Sequence, residues 1–131
     1  MSLPLGPGEA RRRRGATAHA SGSAAEEGVA RHYQESGRPI AHRRWRSPFG
    51  EVDLIARDGA TLVFIEVKRA RSLDEAAHRL GRRQMDRLLA AAQVFCEGEP
   101  AGSLTQMRFD LALVDGVGRV RVIENAFGED W

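Results

Sequence analysis

Gly50-Glu51-Val52-Asp53-Leu54-Ile55-Ala56-Arg57-Asp58-Gly59-Ala60-Thr61-Leu62-Val63-Phe64-Ile65-Glu66-Val67-Lys68 is the stretch on which the fold turns. Thr61 to Lys68 is nearly continuous Leu-Val-Phe-Ile before a polar end, which predicts a central strand of a sheet. Glu51 to Arg57 predicts a second strand, and Asp58-Gly59 between them is a two-residue hairpin signal, so the two run antiparallel. Side chains two apart on a strand share a face, so Glu66 and Lys68 project together. Pairing symmetrically about Asp58-Gly59 places Asp53 near residues 63–65, and a small register offset brings it alongside Glu66. Two converging carboxylates make an oxygen-rich site suited to Mg²⁺ or Mn²⁺, with Lys68 placed to orient a water or stabilise developing charge on a phosphate.

The lysine is singular. Of the twenty basic residues, nineteen are arginine and only Lys68 is lysine. Arginine and lysine serve almost equally as solvated charges but differ where a compact ammonium must sit beside a reacting group. Glu-x-Lys is also common as an exposed ion pair. Here the charges end a strongly apolar strand, where charge is unusual without a reason.

Outward from this hairpin, residues 24–36 predict a helix stopped by Gly37, with Glu26 and Glu27 in its first turn, where carboxylates suit the helix dipole. Residues 40–45 predict a first strand and Ser47-Pro48-Phe49-Gly50 a turn. Met85, Leu88, Leu89, Ala92 and Phe95 recur on one helical face, predicting a helix over 73–96. Strands over 107–114 and 119–123 complete an αβββαββ order. Residues 1–23 are rich in Gly, Pro, Ala, Ser and Arg without apolar periodicity and predict a disordered basic arm, leaving 24–131 as a single domain.

The net charge of +2 hides a gradient: residues 1–50 hold nine Arg against four acids, residues 97–131 three Arg against seven acids. Local basic surface of this kind can steer a polyanion. Arg43-Arg44-Trp45-Arg46, basic residues interleaved with an aromatic, is a candidate to grip phosphates and stack on a base; its plainer counterpart is a core Trp flanked by solvated Arg. His19, His32, His42 and His78 are scattered without zinc-ligand spacing, and neither a Walker-type loop nor a dinucleotide fingerprint is present. No apolar run approaches the roughly 20 residues of a membrane span, and the start lacks the pattern of a secretory leader. With Cys96 the single cysteine, read as a core residue at a helix end, a cytoplasmic protein without disulfides is expected.

Gly50-Glu51-Val52-Asp53-Leu54-Ile55-Ala56 followed by Leu62-Val63-Phe64-Ile65-Glu66-Val67-Lys68 closely resembles the signature of the uncharacterised YraN-like family. That family resembles the restriction-endonuclease-like PD-(D/E)xK nucleases, nearest the Holliday-junction resolvases. The likeness spans about residues 24–128 and continues through Glu26 to Gly37, Gln84 to Ala92, Arg108-Phe109-Asp110 and Asn125-Ala126-Phe127. It implies a three-layer α/β fold, a mixed central β-sheet flanked by helices. It also implies a metal held by Asp53 and Glu66, Lys68 as the catalytic lysine, and Glu26 and Gln84 assisting, Glu26 as a further metal ligand. Two departures stand nearby. A family lysine before Gln84 is Arg83 here, keeping charge and phosphate contact, and after Lys68 the chain reads Arg69-Ala70-Arg71, shifting the family's arginine. Neither touches the implied ligands.

The expectation is therefore a divalent-metal-dependent endonuclease hydrolysing phosphodiester bonds in DNA, with branched or damaged DNA as substrate by analogy and a homodimer as one assembly that addresses two strands. A catalytically silent nucleic-acid-binding module of the same fold, acting with a partner, is the alternative. A structural protein with surface ion pairs is the third option. A pure binder has no need of converging carboxylates that repel phosphate.

Overall fold

In the computed structural model, which describes residues 23–126, the hairpin closes one residue later than its Asp-Gly signal suggests. The second and third strands, β2 (Gly50–Asp58) and β3 (Thr61–Arg69), pair Asp58 with Thr61, so Gly59 and Ala60 form the two-residue loop. Gly59 takes φ of 59°, the left-handed conformation glycine adopts without Cβ strain. Moving the centre of the turn by one residue shifts every partner by two. That is the offset the site needs: Leu54 faces Ile65, and the ladder stops with Asp53 beside the Glu66–Val67 end of β3.

Five strands form one mixed sheet in the order β1 (Ile40–Ser47), β2, β3, β4 (Met107–Val114), β5 (Val120–Ile123). As the apolar run predicts, β3 is central. It runs antiparallel to β2 and parallel to β4. A parallel neighbour requires a crossover, and the chain supplies it through α2 (Leu73–Arg79) and α3 (Arg82–Cys96). The helix at residues 23–35, α1, precedes the sheet.

Two buried cores lie on opposite faces of the sheet. Ala25, Val29, Ala30 and Tyr33 of α1 pack on Leu54, Ala56, Val63, Ile65, Ala112 and Val114. Ala76 and Leu80, with Met85, Leu88, Ala91, Ala92 and Cys96 of α3, pack on Val52, Ile55, Leu62, Phe64 and Leu111. Period-two alternation along β3 therefore puts Phe64, Glu66 and Lys68 on the α3 face and Val63 and Ile65 on the α1 face.

The single helix expected over 73–96 is two. Gly81 is extended at φ −86°, ψ 163° and caps α3, accepting the Met85 N–H, while Leu80 closes the preceding turn onto Ala76. Periodicity hid the break because Ala76, Leu80, Met85 and Leu88 all bury into the same core. Cys96 is buried at the end of α3 as expected, and burial pushes its thiol up. Of the arm expected over residues 1–23, Ser23 instead opens α1, and residues 1–22, like Phe127, lie outside the described residues.

Asp110 of β4 is fully buried on the α1 face. It accepts the Tyr33 hydroxyl at 2.7 Å, Arg108 at 2.9 and 3.2 Å, and the Asn125 N–H at 2.9 Å. Burial, then the adjacent carboxylate, hold the Tyr33 phenol far above its ordinary pKa, so it stays a donor. This network ties α1 to the sheet and holds the helix that carries Glu26. Removing one donor to a buried carboxylate costs about 1.5–3 kcal/mol. Tyr33→Phe is accordingly expected to lower the urea midpoint of unfolding with an unchanged m-value; an unaltered midpoint would show that the network adds no net stability.

Candidate active site

The site forms where β1 and β2 turn over. Leu54 and Ala56 face the α1 core, yet Val52 faces the α3 core with Ile55, so β2 loses its alternation around Asp53. Opposite, β1 does the same at Arg44, whose φ of 48° is left-handed. Because of this paired irregularity the β2–β3 ladder ends at Leu54 and Ile65, and the Asp53 carboxylate, not a backbone carbonyl, accepts the Val67 N–H at 2.8 Å. The strands part, and a cavity of about 270 Å³ opens between the sheet and α3. Gly50, Glu51, Asp53 and Glu66 line it from the strands, Gln84, Arg87 and Leu88 from the helix. Gly50 has φ of 142°, a conformation open to glycine alone among common residues, and approaches α3 closely there.

Glu66 is 4 % exposed, an unusual place for a carboxylate at a strand end. Its Oε1 accepts from Lys68 Nζ at 3.1 Å. Its Oε2 is buried with no hydrogen-bond partner among the described residues. Burial pushes the Glu66 pKa up; Lys68 and the neighbouring Gln84 amide pull the other way without reversing it. Asp53 is pushed up to about 7, first by burial and then by the Glu66 charge, with Glu26 adding to it and the Val67 N–H and Lys68 opposing. Two carboxylates in one low-dielectric cleft resist simultaneous ionisation, so both are held above the ordinary carboxylate range and the pair takes up a proton more readily than isolated acids do.

A bound cation is the other way to relieve such a pair. The fit to a divalent metal rests on the orphaned Glu66 Oε2 and on the raised Asp53. Among the described residues no group of three or more His, Cys, Asp or Glu side chains is placed to share an ion. Protein ligation here would amount to two carboxylates, with the remaining positions left to water and other oxygen ligands. Mg²⁺ keeps several waters and is commonly held by one or two carboxylates plus substrate phosphate.

The remaining candidates divide. Gln84 joins the cavity, while Glu51 lines it with its carboxylate 3.3 Å from Arg46. Glu26 lies near enough to raise Asp53, but its carboxylate is engaged by Arg44 Nε at 2.8 Å and does not complete a three-carboxylate group. Arg43 pairs with Glu27 at 2.7 Å. The basic β1 stretch is thus largely neutralised by α1 and β2. Trp45 sits edge-on to Phe95 at 5.2 Å and packs against the α3-side core, so its ring is a packing element and not an open stacking platform. Arg69 and Arg83 are exposed. Sequence reasoning missed Arg87, although its place three residues after Gln84 on a helix puts both on one face.

The profile of the uncharacterised protein family UPF0102 matches residues 25–114 of this chain. A UPF0102 protein from Cereibacter sphaeroides is 59% identical over 113 residues, covering 86% of this chain and 97% of that protein. A UPF0102 protein from Ruegeria pomeroyi is 55% identical over 115 residues, covering 88% and 94%. One from Dinoroseobacter shibae is 45% identical over 116 residues, covering 88% and 87%.

Proposed function

This chain belongs to the uncharacterised protein family UPF0102, and we propose that it is a divalent-metal-dependent nuclease of the PD-(D/E)xK kind that hydrolyses phosphodiester bonds in DNA. The observation that carries this function is the buried Asp53–Glu66 pair, with Glu66 Oε2 unpartnered among the described residues and an ammonium 3.1 Å from the other oxygen. A structural ion pair needs one acid for one base. Here two acids share one lysine inside a cleft, an arrangement that is electrostatically incomplete until a cation enters.

Asp53 and Glu66 would hold the ion, which supplies positive charge against the phosphate and lowers the pKa of a bound water. Hydrolysis would join a water oxygen to phosphorus, the water giving up a proton, and break one bond from phosphorus to a sugar oxygen, which would leave with a proton. Lys68, anchored by Glu66, presents N–H groups to the attacking water or to the phosphate oxygen gaining charge. Gln84 favours the ionised form of Glu66 from the helix side, against the larger effect of burial. Arg87, on the cavity wall, offers a fixed charge to an adjacent phosphate.

The test is incubation of labelled linear, flapped and four-way-junction DNA with Mg²⁺, Mn²⁺ or EDTA, using wild type beside Asp53→Asn. Cleavage that requires the metal and disappears in the variant is expected. Intact DNA in every lane, with binding retained, would leave a silent binding module as the better account.

A further inference from the structure

The turn between β1 and β2 holds Phe49 out to solvent, next in the chain to the cavity-lining Gly50. Ser47 Oγ accepts the Phe49 N–H at 3.1 Å and donates to the Gly50 carbonyl at 2.9 Å, so one side chain pins the turn from inside. The Phe49 ring is left 50 % exposed. The next residue, Gly50, lines the cavity, and a Cβ placed on it would stand 4.0 Å from the Arg87 Cβ. The exposed ring is thus one residue along the chain from the glycine that meets Arg87 at the cavity. Arg83 lies one helical turn before Arg87 on the exposed side of α3.

These two arginines differ from those of β1. Arg43, Arg44 and Arg46 each have an acidic partner. Among the described residues neither Arg83 nor Arg87 makes an ion pair. A lone exposed phenylalanine is ordinary. An exposed ring on the turn that meets α3 at Arg87, together with two guanidinium groups without ion pairs among the described residues, near a cleft whose own carboxylates repel anions, has a narrower set of partners. Guanidinium groups match phosphate, and an aromatic face matches a base withdrawn from pairing. Continuous duplex keeps its bases stacked inside and offers no face to Phe49.

We propose that Phe49, Arg83 and Arg87 form a docking surface for an unpaired DNA strand, so that the site selects single-stranded or flapped DNA over continuous duplex. This rests on nucleic acid being the occupant of the adjoining cavity. Phe49 stacks on a base at the strand's exit from the pairing partner, and the two arginines hold the phosphates that lead into the cleft.

The experiment is fluorescence anisotropy with a short labelled oligothymidine and with a matched duplex, in EDTA so that no strand is cut. Wild type is expected to bind the single strand more tightly. Phe49→Ala should weaken single-strand binding about tenfold, in the range set by loss of one base–aromatic stack, and change duplex binding less than about twofold. Phe49→Trp should restore the preference. Arg87→Ala should weaken both DNAs and flatten the salt dependence by about 0.7 per phosphate released on the single strand. Equal weakening of both DNAs by Phe49→Ala, no weakening of either, or no binding at all would overturn the surface. The same variants with Mg²⁺ separate this proposal from the nuclease activity. A Phe49-dependent preference without any cleavage keeps the surface and removes the nuclease, whereas cleavage with a preference indifferent to Phe49 does the reverse.

Discussion

Lys68→Ala is expected to lower metal-dependent DNA cleavage by about 10²–10³-fold, the usual cost of removing one donor aimed at developing charge, while leaving a folded protein that still binds the metal. The variant removes the only ammonium touching Glu66 among the described residues. Lys68 favours ionised Glu66 and, more weakly, ionised Asp53, so its loss raises both carboxylates further. At mildly acidic pH that change alone would weaken metal binding and obscure the catalytic effect. The comparison therefore belongs at about pH 8 and saturating Mn²⁺, with the metal-induced rise in melting temperature followed alongside the rate. Lys68→Arg sharpens the test. It returns a positive charge to Glu66, so stability and metal response should recover, but its planar fork cannot reproduce a compact ammonium at a reacting phosphate. Recovery of the thermal response without recovery of the rate would assign Lys68 to the chemistry. Cleavage by Lys68→Ala at the wild-type rate would show that the reaction, or a contaminant's reaction, lies elsewhere.

The single lysine was legible because its oddity is compositional and its spacing local. Glu66 and Lys68 share a face by the period of a strand, and the apolar run before them marks β3 as central; both follow from nearest neighbours in sequence. Asp53 was half legible. The hairpin brings it to the right edge of β3, but its final partner depends on Gly59-Ala60 forming the loop instead of Asp58-Gly59. That choice is made by the packing of both strand faces, since a register that buries Leu54 with Ile65 on one side must also seat Phe64 under α3 on the other. The reversal of facing at Arg44 and Asp53 left no local sign, because a left-handed arginine carries no composition cue. Its consequence, three β1 arginines tied up by acids from α1 and β2, turned a basic stretch that looked free into one that is largely paired. Arg87 and the Gly81 break failed for a related reason: helical periodicity reports which face is buried, not where the helix restarts or what its exposed face adjoins.

Asp53→Asn should raise the melting temperature of the metal-free protein at pH 8, abolish its rise with Mg²⁺, and flatten its dependence on pH. The sign follows from linkage. In the folded chain Asp53 holds its proton up to about 7, against 3.8 for an unperturbed aspartate. Between those values the folded state binds more protons than the unfolded state, so stability falls as pH rises through the window. The Asp53 contribution is least unfavourable below about 4 and fully unfavourable above about 7, where the Asp53 charge stands beside Glu66 in a buried cleft. Asparagine removes the charge yet keeps an oxygen that can accept the Val67 N–H, so the opening at the end of the β2–β3 ladder is preserved. Relief on the order of 1 kcal/mol corresponds to a rise of about 4 °C in a domain of this size. A metal bound by the pair would act on the same repulsion from the other direction. At 100 times its dissociation constant it stabilises by about 2.7 kcal/mol, or on the order of 10 °C, and more at pH 8 than at pH 5, where the proton competes. A cation response of equal size in wild type and Asp53→Asn would place the metal outside the cleft. A wild-type melting temperature level from pH 5 to pH 8 would mean that Asp53 and Glu66 do not share the buried charge from which the nuclease assignment starts.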